Sequence, residues 1–128
     1  AIASLERLGA TVDVAAADVT SPDEVRALVE RLSLGDAPLR GVVHAAGEDL
    51  VQPLEATTAS QLAQVCGAKV RGAWNLHIAT SDVPLDLFLC FSSISAVLGS
   101  SGRAAYAGAN AFLDALAHER RRLGRPGL

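Results

Sequence analysis

Apolar positions along this chain alternate between short continuous runs and stripes of helical period. Ile2, Leu5 and Leu8 form a first stripe that Gly9 closes, and Thr11–Ala17 is an apolar run ending in Asp18 and Val19, read as a strand. Thr20–Glu24 announces a helix, with Ser21 as cap, Pro22 in the first turn and Glu24 completing a capping box. Val25, Leu28, Val29 and Leu32 then follow at helical spacing, and Leu34–Pro38 reads as a loop. Arg40–Gly47 is the next strand and Glu48–Ala56 a loop. Thr58 with Gln61 is a second capping box, opening a helix to about Thr80 with the stripe Leu62, Val65, Cys66, Val70, Ala73 and Leu76. Pro84 introduces an apolar strand from Leu85 to Phe91. A Gly- and Ser-rich loop follows, and a last helix is expected from about Arg103 to Leu123.

Strand and helix alternate three times, which predicts an α/β fold with a parallel sheet flanked by helices. The third strand is almost continuously apolar, as one buried on both faces must be. Ligands of such sheets bind outside the carboxyl ends of the strands, here marked by Asp18, His44–Gly47 and Ser92–Ser93.

The bulk properties narrow the function. With 128 residues there is room for one domain, and 50% hydrophobic against 4% aromatic residues means a core of Ala, Val and Leu. A net charge of −3 and a pI near 5.5 argue against nucleic acid, which needs a basic face. Arg120–Arg122 with Arg125 is the one basic run, expected as a solvated helix end that complements the helix dipole. Cys66 and Cys90 sit in apolar segments without metal or disulfide spacing and are expected as buried reduced thiols. No apolar run is long enough to span a bilayer, so the expectation is a soluble cytoplasmic protein. The chain begins inside a helical pattern and stops where another strand could begin, as a piece of something longer would.

Four side chains carry candidate chemistry. Ser93 stands at a strand end; Tyr106, thirteen positions on, opens the last helix; and Asn110, four beyond it, shares its face. Lys69 lies within the apolar stripe of the preceding helix, flanked by Gly67 and Gly72, where it must snorkel outward or find polar company. An ammonium beside the phenol would bring a pKa of about 10 toward the working range. Ser93 could then hold a carbonyl oxygen, and Asn110 a water or the lysine. Singly, each has an ordinary structural use; their convergence on the strand ends favours a site. His44 is read as a strand-end packing residue, His77 and His118 as surface or helix-face histidines, and Gly99–Gly102 as a flexible connection lacking the lysine of a P-loop.

His44–Gly47, Lys69–Ala73, Phe91–Ser93 and Tyr106–Asp114 together resemble the ketoreductase domain of modular type I polyketide synthases, in the short-chain dehydrogenase/reductase superfamily. The resemblance covers essentially residues 1–128. It implies a Rossmann-like fold and NADPH-dependent reduction of a β-ketoacyl chain carried on the phosphopantetheine of an acyl carrier protein, alongside the other domains of a synthase. It makes Tyr106 the proton donor, Ser93 the carbonyl-orienting hydroxyl and Lys69 the cation that lowers the tyrosine pKa. Asn110 occupies the place where most of the superfamily has the lysine. Asp18 and Val19 match the segment that contacts the adenine, and His44, Ala45, Ala46 and Gly47 the loop beside the adenosine and ribose.

Set against that family, the first βαβ unit with its glycine-rich dinucleotide loop, the basic residues for the 2′-phosphate, and the last strands are missing. In the family sheet the first strand separates the two that match Val12–Ala17 and Gly41–Ala46, so these are expected to lack a common partner and to expose apolar edges. The piece alone is expected neither to bind NADPH tightly nor to turn over. Glu48–Asp49–Leu50 and Leu98 match neither marker of alcohol configuration. A structural ketoreductase-like module without activity, or another dehydrogenase or epimerase of the superfamily, are the competing readings.

Overall fold

The sheet of this molecule is a single parallel pair of strands among the described residues. The computed structural model describes residues 2–34 and 37–128, so the loop expected at Leu34–Pro38 lies in part outside the described residues. Helix α1 (Ile2–Glu6) ends in a Schellman motif: Ala10 N–H donates to Leu5 O and Gly9 N–H to Glu6 O, with Gly9 at φ 92°. Helix α2 (Pro22–Ser33) follows, then β1 (Gly41–His44), a 3₁₀ turn (Leu54–Ala56) and α3 (Ala59–Cys66). A π-helical segment (Gly67–Gly72) joins α3 to α4 (Ala73–Ala79). After these come β2 (Leu87–Cys90), the short α5 (Ser95–Leu98) inside the expected Gly/Ser loop, and α6 (Ala104–Arg122).

Strands β1 and β2 pair in parallel, with Gly41 opposite Leu87 and His44 opposite Cys90. Arg40 grips Asp86 bidentately at the amino ends of both strands, at 2.6 and 2.8 Å, which helps fix this register. On the other edge of β2, Leu128 N–H donates to Phe88 O and Leu128 O accepts from Cys90 N–H, so the last residue occupies the neighbouring strand position.

The expected strand at Thr11–Ala17 does not form. Those residues pair with nothing in the sheet, and only Val12 is more than marginally covered. Strand identity is conferred by a partner, and an apolar run has no ladder of its own; the segment is tied instead through Asp13 to Arg31 of α2.

The core lies where α4, α6 and β2 meet: Ala73, Leu113 and Leu116 are buried, with Cys90 and Phe112 packed on them. Helix α6 buries Ala109, Leu113, Leu116, Ala117 and Arg120 along one stripe. Arg120 therefore corrects the expectation of a solvated basic helix end. It is 1% exposed, stacks 3.7 Å above the Phe88 ring centroid, donates to Pro126 O at 2.6 Å and reaches His77 Nδ1 at 3.0 Å. His77 is likewise buried, not at the surface. Arg121, Arg122 and His118 remain exposed, and Cys66 and Cys90 are free and half-buried.

Both capping serine/threonine residues accept the bonds expected of them. Thr58 and Gln61 form the complete reciprocal box, whereas at α2 the Glu24 carboxylate accepts from Asp18 N–H and not from the Ser21 backbone. Glu24 is drawn back because Ser21 N–H is already taken by Asp18 O.

Candidate active site

Each element delivers its polar residue to the carboxyl end of the sheet. Strand β1 runs into Ala45, Ala46 and Gly47, and β2 into Phe91, Ser92 and Ser93. The π segment brings in Lys69, and the first turn of α6 brings in Tyr106. A cavity of about 390 Å³ is lined by Ala45, Gly47, Glu48, Asp49, Lys69, Phe91, Ser92 and Tyr106.

Lys69 is 6% exposed, and its Nζ donates to Phe91 O at 3.0 Å, the carbonyl just past β2. The same ammonium stands 5.4 Å from the Tyr106 ring centroid. The lysine thus finds polar company inside, as one of its two sequence-based readings required. Its stem runs along Gly47, where an added Cβ would stand 2.7 Å from Lys69 Cε. Gly72 admits Val19, whose Cγ1 would meet an added Cβ at 2.8 Å. The two small residues let the segment sit this close to the strand end and to Val19.

Asn110 is fully buried. Its Nδ2 donates to Tyr106 O at 2.8 Å, while Oδ1 has no hydrogen-bond partner among the described residues. A buried acceptor left open this way is a place for a donor such as water. Ser93 does not line the cavity in this arrangement. Its Oγ accepts from Ser95 N–H at 3.3 Å and Ser95 Oγ at 3.0 Å, so its own proton is left to donate elsewhere. The structure therefore gathers Lys69 and Tyr106 directly and Asn110 through the Tyr106 backbone, with Ser93 one residue beyond the lining.

A second cavity of about 390 Å³ is lined by Asp18, Val19, Thr20, Glu48, Gly67, Arg71 and neighbouring α3 residues; Glu48 belongs to both. Thr20, through its backbone N–H and its hydroxyl, holds the Asp18 carboxyl below its usual range. Val19 O accepts from Asn75 Nδ2 at 3.0 Å. His44 differs from its neighbours Ala45–Gly47: it is 3% exposed beneath the π segment, its Nε2 has no partner among the described residues, and burial lowers its pKa against a smaller opposing effect of the Ala68 backbone. Its side chain packs, its carbonyl accepts from Phe91 N–H at 2.9 Å within the strand pair, and it lines neither cavity.

Sequence reasoning marked Ser92 only as one of the two strand-end serines and gave the role to Ser93, whereas it is Ser92 that lines the cavity, and its hydroxyl donates to Asn110 O at 3.2 Å. The paired serines were the available signal, and nothing in their order says which one turns inward. Sequence reasoning missed Glu48 and Asp49 as cavity walls, because a loop carries no period from which direction can be read.

A family model described as the KR domain matches residues 1–128. A polyketide synthase type I for phenolphthiocerol synthesis from Mycobacterium marinum is 45% identical over 98% of the chain, and a hybrid PKS-NRPS synthetase from Aspergillus violaceofuscus is 46% identical over 98%. The chain spans 6% and 3% of the length of those two relatives. Among solved structures, A-type ketoreductases from a modular polyketide synthase superpose with a TM-score of 0.91 at 45% identity, over 96% of this chain and 26% of theirs. A short chain dehydrogenase from Mycobacterium avium superposes at 0.80 with 18% identity, a likeness of fold alone.

Proposed function

The chain belongs to the ketoreductase domains of modular polyketide synthases, within the short-chain dehydrogenase/reductase superfamily, and on that footing we propose that it reduces a β-ketoacyl thioester held on an acyl carrier protein, with NADPH. The observation that carries this reading is the buried Lys69 ammonium, fixed on Phe91 O beside the Tyr106 ring in a cavity at the strand ends.

Two adjoining cavities that meet at Glu48, one beside Lys69 and Tyr106 and the other beside Asp18 and Val19, fit an elongated dinucleotide. Asp18, Val19 and the strand end Ala45–Gly47 would hold it, with His44 packed behind that strand end. A reduced nicotinamide held there would supply the hydride for the carbonyl carbon. Tyr106 gives its phenolic proton to the carbonyl oxygen, so that the ketone becomes an alcohol. Ser93, one residue beyond the lining with its oxygen engaged by Ser95, would turn its free proton inward to that same carbonyl oxygen and orient it. Lys69 balances the phenolate that Tyr106 leaves behind, and Asn110 Oδ1 takes a water that returns a proton toward it.

The test is Tyr106→Phe in the protein as expressed from its own gene, followed by NADPH oxidation on a β-ketoacyl thioester. Loss of one positioned acid lowers kcat by about 10²–10⁴-fold while the melting transition stays in place. Retained turnover would remove Tyr106 from its role.

A further inference from the structure

The loop after Gly47 is laced between α3, which runs into the π segment that bears Lys69, and the start of α6, which bears Tyr106. Glu48 Oε2 accepts from Gln64 Nε2 of α3 at 2.7 Å. Asp49 Oδ2 pairs with Arg103 Nη2 at 3.1 Å, immediately before α6. Gln52 N–H donates to Gly102 O at 2.7 Å, and Gln52 Nε2 to Gln61 Oε1 of α3 at 2.9 Å. Gly102 stands at φ 68°, with the Gln52 amide 3.5 Å from where its Cβ would be, so the approach of the two backbones is built in.

From this lacing we infer that Arg103, through Asp49, is a positioning residue: it holds the loop wall of the reaction cavity against the first turn of α6, three residues before Tyr106. Asp49 lines the cavity beside Lys69 and Tyr106 and not the one beside Asp18, so the pair acts where the carbonyl would meet the nicotinamide and away from the adenosine end of the cofactor. Arg103 is the residue before α6 and contributes no side-chain cap to it, so its substitution leaves the helix start intact. The inference rests on the proposed reduction for its kinetic consequence, whereas the ordering of the loop stands independently of it.

Arg103→Gln, Asp49→Asn and the exchanged pair Arg103→Asp with Asp49→Arg test this in the protein expressed from its own gene. Both residues are about two-fifths exposed, which limits the effect of either single change to about two- to five-fold. The expected result is a rise of that size in KM for the β-ketoacyl thioester, with kcat and the KM for NADPH unchanged, and recovery in the exchanged pair. Amide exchange at Gln52, read without substrate, should quicken in both single variants and slow again in the exchanged one. A fall in kcat equal to the rise in KM, an equal shift in the KM for NADPH, or unaltered exchange at Gln52 would overturn the inference. Absence of ketone reduction in the unaltered protein would overturn the reaction proposed above, while Gln52 exchange still decides the role of Arg103.

Discussion

His77 and Arg120 show how two residues placed on one buried contact constrain each other's protonation. A guanidinium only donates, so His77 Nδ1, 3.0 Å from Arg120 Nη1, must accept, and the imidazole is neutral with its proton on Nε2. Burial is the first cause that holds His77 below 6.5, and the nearby charges of Arg120 and Arg125 add to it against Glu119. His44 is lowered in the same direction, again first by burial. For both, the unfolded chain binds a proton more readily than the folded one. Stability is therefore full above the ordinary histidine range and is lost as pH falls below 6.5, by at most about 1.4 kcal/mol per pH unit for each imidazole. Urea unfolding between pH 8 and about 5 should show this decline, and His77→Gln should flatten it. An unchanged slope in that variant would mean that the imidazole is charged in the folded state.

At the scale of elements, what the sequence made legible followed periodicity and caps. The Thr58–Gln61 box and the starts of α2 and α3 were readable because each rests on residues within one turn, and the parallel order of β1 and β2 because a helical stretch lies between them. The failures share a different cause. Thr11–Ala17 has strand composition and no partner, and pairing is a property of two segments. The stripe expected for the third helix, Leu62 through Leu76, assumed an ordinary α-helix throughout. The residues actually buried include Val65, Lys69, Ala73 and His77, four apart each time. An α-helix turns 100° per residue, so such a row slips by about 40° at each step. The underwound π segment takes up that slip, and it keeps Lys69 inward among apolar neighbours. Lys69, Tyr106 and Asn110 were legible as types in a pattern. The direction of Ser93 and Ser92 was not, since it is set by Ser95 and the Asn110 backbone.

Seen whole, the molecule exposes more surface than its mass warrants. A compact monomer of 13.2 kDa presents about 6,400 Å², and this chain presents 7919 Å². Part of the excess is apolar and lies in the unpaired Thr11–Ala17 segment, on β1, just past β2 and in the loop α5 belongs to: Val14, Val43, Phe91, Ile94, Val97 and Leu98 are all more than half exposed. A sheet of two strands is also marginal in water. The 128 residues prepared alone should therefore bind a hydrophobic dye such as ANS, unfold with a shallow transition and self-associate as concentration rises. A monomer that melts sharply without dye binding would contradict this. Among the described residues no helix is long and apolar enough to cross a membrane.

The π segment has a consequence for chain length. Val65, Ala73 and His77 lie 8 and 12 positions apart, counting from Val65, and removal of one intervening residue would make those intervals 7 and 11, the natural repeat of an α-helix. A shortened chain lacking Ala68 should thus relax into one continuous helix, keep its packing and melt within a few degrees of the original. Its lysine, three positions after Val65 instead of four, would stay on the buried side but swing by about 100° around the helix axis, off Phe91 O and the tyrosine, and the proposed turnover should fall. A one-residue gap at this point would mark the loss of the proposed reduction in a chain that has kept its lysine, serine, tyrosine and asparagine.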